Sequence, residues 1–138
     1  MKNPKLTIAA SIVIGALAGA WGTQTLEAQD KQPAFKRTMV QKQDLSAKSR
    51  EAVQVLAEFA PGAAAGKHTH PGEELGYVLE GTLVLEIQGK PPVTLKAGDS
   101  FFVPAGVVHD GKNTGKVPAK VLATYVVEKG KPIATPVK

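Results

Sequence analysis

The dominant pattern along the chain is an alternation of apolar and polar positions, broken about every eight to twelve residues by glycine, proline or polar turns. In the segment 52–59, for example, every odd-numbered position is apolar. Further strands are predicted at 74–80, 82–88, 93–95, 100–103, 107–110 and 120–128. No helical period occurs beyond the first residues. The pattern predicts an all-β fold, with one closed barrel or sandwich such as a jelly roll.

The N-terminal segment departs from this pattern. Leu6–Trp21 is almost continuously apolar and follows a short basic stretch, and small residues offer cleavage points near residues 20 and 28. This layout is typical of a secretory signal peptide, although an uncleaved anchor is the alternative. The apolar run is shorter than the roughly 20 residues that comfortably span a bilayer. We therefore expect a secreted or periplasmic protein without stable membrane insertion after cleavage.

These observations predict four segments. We expect a signal peptide and connector at 1–28, a disordered linker at 29–35, the barrel at 36–130 and a C-terminal tail at 131–138. The length of 138 residues suits one domain. The net charge of +5 comes from scattered lysines that are not interleaved with aromatic residues, so no nucleic-acid partner is expected. The absence of cysteine excludes disulfides, thiolate metal sites and a cysteine nucleophile.

The three histidines of the chain suggest a metal site. In an extended segment His68 and His70 point to the same side. Glu74 follows after a Pro71-Gly72 turn, and His109 lies at the end of another predicted strand. Three imidazoles and one carboxylate suit Mn, Fe, Co, Ni, Cu or Zn and leave coordination positions open. The spacing of these residues is also compatible with ordinary polar residues on a loop that bind no metal.

Two glycine-bounded motifs add a more specific signal. The segment 62–81 reads GAAAGKHTHPGEELGYVLEG, which matches G-x5-H-x-H-x3-E-x6-G at every fixed position. The segment 98–113 reads GDSFFVPAGVVHDGKN and matches G-x5-P-x-G-x2-H-x3-N in the same way. Both resemble the two motifs of the cupin superfamily. The short spacer at 82–97 is similar to that of small single-domain bacterial cupins.

The resemblance implies a single cupin barrel, also described as a double-stranded β-helix or jelly roll. It implies one divalent transition metal per chain, of unspecified identity, held by His68, His70, Glu74 and His109. Glu73 is the competing acidic ligand, but the motif spacing favours Glu74. The motif glycines are expected to form tight turns with positive φ: Gly62, Gly81, Gly98 and Gly106.

Five other residues have weaker interpretations. Tyr77 and Phe102 are candidates for the pocket wall, with core packing the favoured alternative. Lys67 could attract an anionic substrate but is more typical of a surface lysine. Asp110 is expected to face away from the metal by strand alternation. Asn113 is expected to support a strand end by hydrogen bonding.

The resemblance leaves two main functions open. The first is a metal-dependent enzyme acting on a small organic acid or enol, similar to cupin dioxygenases, oxalate-decarboxylating enzymes or lyases. In some of these the ligand carboxylate is also the base, so Glu74 is the candidate catalytic residue. The alternative is a non-catalytic protein that binds or senses a small ligand through the metal. A metal-free sugar epimerase is disfavoured by the complete ligand set. Apolar residues on both faces of 75–87 predict a homodimer.

Overall fold

The computed structural model describes residues 33–138, and the predicted signal peptide lies outside the described residues. These residues form ten strands: β1 (Phe35–Asp44), β2 (Arg50–Phe59), β3 (His68–Thr69), β4 (Gly72–Glu80), β5 (Thr82–Ile87), β6 (Val93–Lys96), β7 (Ser100–Val103), β8 (His109–Lys112), β9 (Ala119–Glu128) and β10 (Thr135–Pro136). The all-β prediction is confirmed. Across residues 33–138 we find no helix long and apolar enough to span a membrane.

The strands form two antiparallel sheets of five. Their orders are β1-β2-β9-β4-β7 and β10-β3-β8-β5-β6. The predicted alternation explains the core, because each odd-numbered residue from Val53 to Phe59 in β2 is buried and each intervening residue is partly exposed. β9 pairs with β2 along its whole length and has the same alternation. The apolar faces of the sheets therefore enclose a core that also lines one end of the candidate site.

The motif glycines lie in turns, as predicted. Gly62, Gly81, Gly98 and Gly106 all have φ between +72° and +94°. At Gly81 the requirement is also steric, since a Cβ atom would lie 2.5 Å from the carbonyl oxygen of Pro118. An L-residue there would be strained in its backbone and would collide with a neighbouring strand.

Asn113 confirms its predicted supporting role. Its side chain is 1% exposed and bonds to the backbone at the end of β2 and after β8. Its backbone N–H donates to the carbonyl of Ala63, and its own carbonyl accepts from Gly62. The side chain and backbone of Asn113 together therefore hold the turn that leads from β2 towards the histidine segment.

Three strands have no counterpart in the sequence prediction: β1, β10 and the two-residue β3. β1 is exposed along almost all of its length, so its residues do not alternate between apolar and polar types. β10 is a two-residue strand within the segment 131–138, and it pairs with β3. The strand predicted at 107–110 begins instead at His109, because the Val107 N–H closes a turn onto the Pro104 carbonyl.

The predictions for Tyr77 and Phe102 were wrong. Both side chains lie on the outer face of the first sheet and are 48% and 51% exposed. They lie outside the core and do not line the cavity beside the histidines. On β4 the inward positions are taken by Glu74, Gly76 and Val78, which leaves Tyr77 on the outward parity.

Candidate metal centre

The fold brings the three histidines together from separate segments. His68 in β3 pairs directly with His109 in β8, and His70 follows β3 by one residue. The ring centroids are 4.3 to 4.9 Å apart, and all three residues are buried. Their candidate ligand atoms all lie within 4.8 Å of one another, so the three histidines could hold one metal ion.

Backbone carbonyls fix the orientation of each ring. Nδ1 of His68 donates to Gly66 at 2.6 Å, and Nδ1 of His109 donates to Val107 at 2.9 Å. Nδ1 of His70 donates to Ile133 at 2.5 Å. A carbonyl can only accept, so each Nδ1 carries a proton, and in the neutral form of each ring the lone pair is on Nε2. Such second contacts are typical of histidines that bind metals, because they fix the tautomer and the ring orientation.

Glu74 reaches the histidines from the opposite sheet. Its Oε2 lies 3.1 Å from Nε2 of both His70 and His109, and the residue is 6% exposed. Glu73 points the other way and pairs with Arg50 at 3.8 Å. The structure thus places Glu74, rather than Glu73, beside the imidazoles of His70 and His109.

The electrostatics of the group suit a cation-binding site. Burial alone would raise the pKa of the Glu74 carboxyl, but hydrogen bonds and charge from His109 and His70, which donate through Nε2 when protonated, together lower it to about 2. Burial lowers the pKa of His68 to about 4, against the opposing effect of its hydrogen bond to Gly66. At neutral pH Glu74 is therefore an anion and His68 a neutral donor, which are the forms that metal binding requires.

The group faces a small cavity between the sheets. Its volume is about 380 Å³ counted out to its open mouth, and about 30 Å³ of this can hold the centre of a water molecule. Most of the wall is apolar. Apart from His68, Glu74 and His109, the polar residues that line it within 33–138 are Arg37 and Tyr125. Lys67 and Asp110 line a second groove, which His109 also borders.

Sequence reasoning missed both Arg37 and Tyr125. Tyr125 lies opposite Glu74 in the β4–β9 register, with its ring 4.6 Å from that of His70. Its pKa is raised, chiefly by burial and further by the Glu74 charge, so its hydroxyl stays protonated at neutral pH. The alternation of apolar and polar residues along β9 could have predicted that Tyr125 points inward. Arg37 lies on β1, where no alternation exists to indicate a direction.

Comparison with known proteins decides the family. The model of the cupin domain matches residues 55–125, about half of the chain. The chain belongs to the cupin family. This cupin is 45% identical over 73 residues to germin-like protein subfamily 2 member 1 of Arabidopsis thaliana, which covers 49% of the chain but 33% of the relative. It thus spans about a third of the length of that relative.

Solved structures agree on the fold of this cupin. An oxalate oxidase in complex with the substrate analogue glycolate superposes with a TM-score of 0.63 at 24% identity, covering 78% of this chain and 57% of the oxidase. The DMSP lyase DddQ from Ruegeria pomeroyi DSS-3 gives a TM-score of 0.62 at 22% identity, with coverages of 75% and 52%. At such identities these likenesses establish the fold alone.

The residues of this cupin fit a divalent transition metal. Three imidazoles that can each present Nε2, together with one ionised carboxylate, form a mixed N/O donor set. This set suits Mn, Fe, Co, Ni, Cu or Zn and does not select among them. The backbone carbonyls fix the rings before any ion binds, so binding would require little reorientation of the imidazoles.

Proposed function

We propose that this protein is an exported, metal-dependent cupin enzyme acting on a small organic acid or enol. His68, His70, Glu74 and His109 would hold one divalent transition metal. The observation that carries the proposal is the set of three clustered histidines whose Nδ1 atoms are bonded to backbone carbonyls, with the buried Glu74 carboxylate against Nε2 of two of them. The basis for export is the apolar N-terminal segment within residues 1–28.

The protein groups have separate tasks in this proposal. A bound metal would supply Lewis acidity, and a redox-active one could also activate dioxygen. The apolar wall would exclude bulk water from the ligand, which strengthens electrostatic interactions inside the cavity. Glu74 remains our candidate proton acceptor. Its pKa of about 2 keeps it ionised but makes it a weak base, so the ligand role is its better-supported one.

The first test is the metal content of the purified protein. We expect about one transition-metal ion per chain by inductively coupled plasma mass spectrometry, and loss of that ion in the His68→Ala/His109→Ala double variant. Lys67→Ala is the matched control, because it is exposed and adjacent to the first ligand. Wild-type protein that takes up no metal, even after reloading, would refute the proposal.

A second candidate function is non-catalytic binding of a small ligand. One observation favours it: among the described residues that line the cavity, the ionisable groups beside the proposed ligands are Arg37 and Tyr125. Tyr125 offers no free base at neutral pH, because burial raises its pKa, and a guanidinium is a hydrogen-bond donor without an acceptor. Turnover assays with enols and carboxylates, using Mn, Fe, Co or Ni, separate the two functions. Tight retention of a carboxylate without product from any metal form would favour binding.

We also propose that the protein forms a homodimer through the outer face of the first sheet. Leu75, Tyr77 and Phe102 lie side by side there on β4 and the edge strand β7, each about half exposed. Exposed apolar patches and uncovered edge strands are typical of interfaces. We expect a dimer by light scattering at micromolar concentration and a monomer for Leu75→Lys/Phe102→Lys. A monomeric wild type would contradict this.

A further inference from the structure

Arg37 is the one guanidinium at the candidate metal centre in the described part of the chain. Its Nη2 lies 3.2 Å from Nε2 of His68, and its side chain lines the mouth of the cavity. The guanidinium carbon also lies 4.6 Å from the ring centroid of Phe35, which gives it a second support. Arg37 as a residue is exposed, whereas His68 is 6% exposed, so the guanidinium lies between solvent and the buried imidazoles.

The contact between Arg37 and His68 has a chemical consequence. Nδ1 of His68 donates to the Gly66 carbonyl, so Nε2 holds the only lone pair of the ring. Arg37 donates to that lone pair, which is the one that a metal ion would need. Arg37 and a metal therefore compete for the same atom, and metal binding must displace the guanidinium from it.

After displacement the Arg37 guanidinium would still lie close to the metal ion, so two positive charges would be neighbours. Within residues 33–138 Arg37 makes no ion pair with a carboxylate, whereas Arg50 pairs with Glu73 and Lys36 with Glu58. Glu74, the acid of the centre, is shared between two histidines. An anion from solution is the remaining partner that could contact both positive groups and reduce their repulsion.

Resting on the proposed function, we propose that Arg37 is the substrate-anchoring residue and that the substrate is a small carboxylate rather than a neutral enol. The planar fork of the guanidinium matches a carboxylate in two parallel hydrogen bonds. The cavity between the sheets is small, which suits a ligand of few non-hydrogen atoms. Tyr125 lines the same cavity beside Arg37.

The experiment uses glycolate as the probe and Co²⁺ as the metal. The purified protein is loaded with Co²⁺, and glycolate binding is followed by the visible absorption of the ion, with no turnover required. We expect Arg37→Gln to weaken glycolate binding about tenfold or more, and Arg37→Lys to weaken it less. Glycolamide, the neutral analogue, should bind wild type and Arg37→Gln alike. Lys36→Gln, the neighbouring charge on β1, should leave glycolate affinity unchanged.

A reciprocal measurement gives a second readout. Glycolate should tighten Co²⁺ binding in the wild type, and this coupling should be about tenfold smaller in Arg37→Gln. Equal glycolate affinity in wild type and both Arg37 variants would overturn the role of Arg37 and leave the metal-dependent function standing. A wild type that binds no Co²⁺ would instead overturn the proposed function and this inference with it.

Discussion

Replacement of Asn113 by alanine is expected to destabilise the fold strongly while leaving the proposed metal ligands in place. The Nδ2 group of Asn113 donates to the carbonyls of Phe59, Ala60 and Val117 at 3.1, 3.2 and 2.8 Å. Its Oδ1 accepts from the Gly115 N–H at 2.9 Å. Nδ2 carries two hydrogens, so one of them is shared between two carbonyls. The side chain therefore contributes the equivalent of three hydrogen bonds.

The magnitude follows from this count. Each bond contributes about 1 kcal/mol, and the site is 1% exposed, so water cannot replace the lost partner. We expect the free energy of unfolding to fall by about 3 kcal/mol, a large share of the roughly 5–15 kcal/mol typical of a domain. Asn113→Asp should be at least as destabilising, because it places a carboxylate against three carbonyl oxygens.

The assay is urea unfolding followed by far-UV circular dichroism, with a chelator present so that metal binding does not contribute. Thr114→Ala is the matched control, since Thr114 is the exposed neighbour. A loss for Asn113→Ala that lies within about 1 kcal/mol of the control would refute the reasoning, because it would mean that these bonds are not maintained in solution.

Two further predictions concern the histidines. Removal of residues 131–138 deletes the Ile133 carbonyl that orients His70, and we expect metal affinity to fall about 10-fold to 100-fold by titration; affinity equal to that of Lys138→Ala would contradict this. For the metal-free protein, burial lowers the pKa of His68 to about 4 from 6.5, so the unfolded chain binds a proton between these values that the folded chain does not. Stability should therefore fall by up to about 3 kcal/mol as pH drops from 6.5 to 4. The pKa of His109 is raised in the folded chain, so its contribution to stability changes only above pH 6.5, the pKa of this side chain in the unfolded chain. Urea midpoints at several pH values should lose this slope in His68→Asn, and an unchanged slope would exclude His68 as its source.

The sequence predicted the inner strands well because each has one buried face. In β2 and β9 that face is marked by apolar side chains at every second position. β1 has no such mark, since it is exposed on both faces at the edge of its sheet. β10 is too short to show a period and depends on pairing with β3.

The same limits apply to the candidate site. The four proposed ligands were readable because they stand at fixed spacings in two motifs. Arg37 could not be identified from the sequence, because it lies on β1, whose residues do not alternate between apolar and polar types. Only the fold brings it to His68. The carbonyl of Ile133 could not be predicted at all, since every residue carries the same backbone group and only the fold selects which one faces His70.

The proposed ligands are divided between the two sheets. His68 and His109 belong to the second sheet, and Glu74 belongs to the first. An ion bound by all of them would link the two sheets at one end of the barrel and hold them together there. Its concentration would then set how often the barrel opens, since a ligand at about 100 times its dissociation constant adds about 2.7 kcal/mol to folding stability. The stability of the folded protein would therefore depend on the concentration of metal around it.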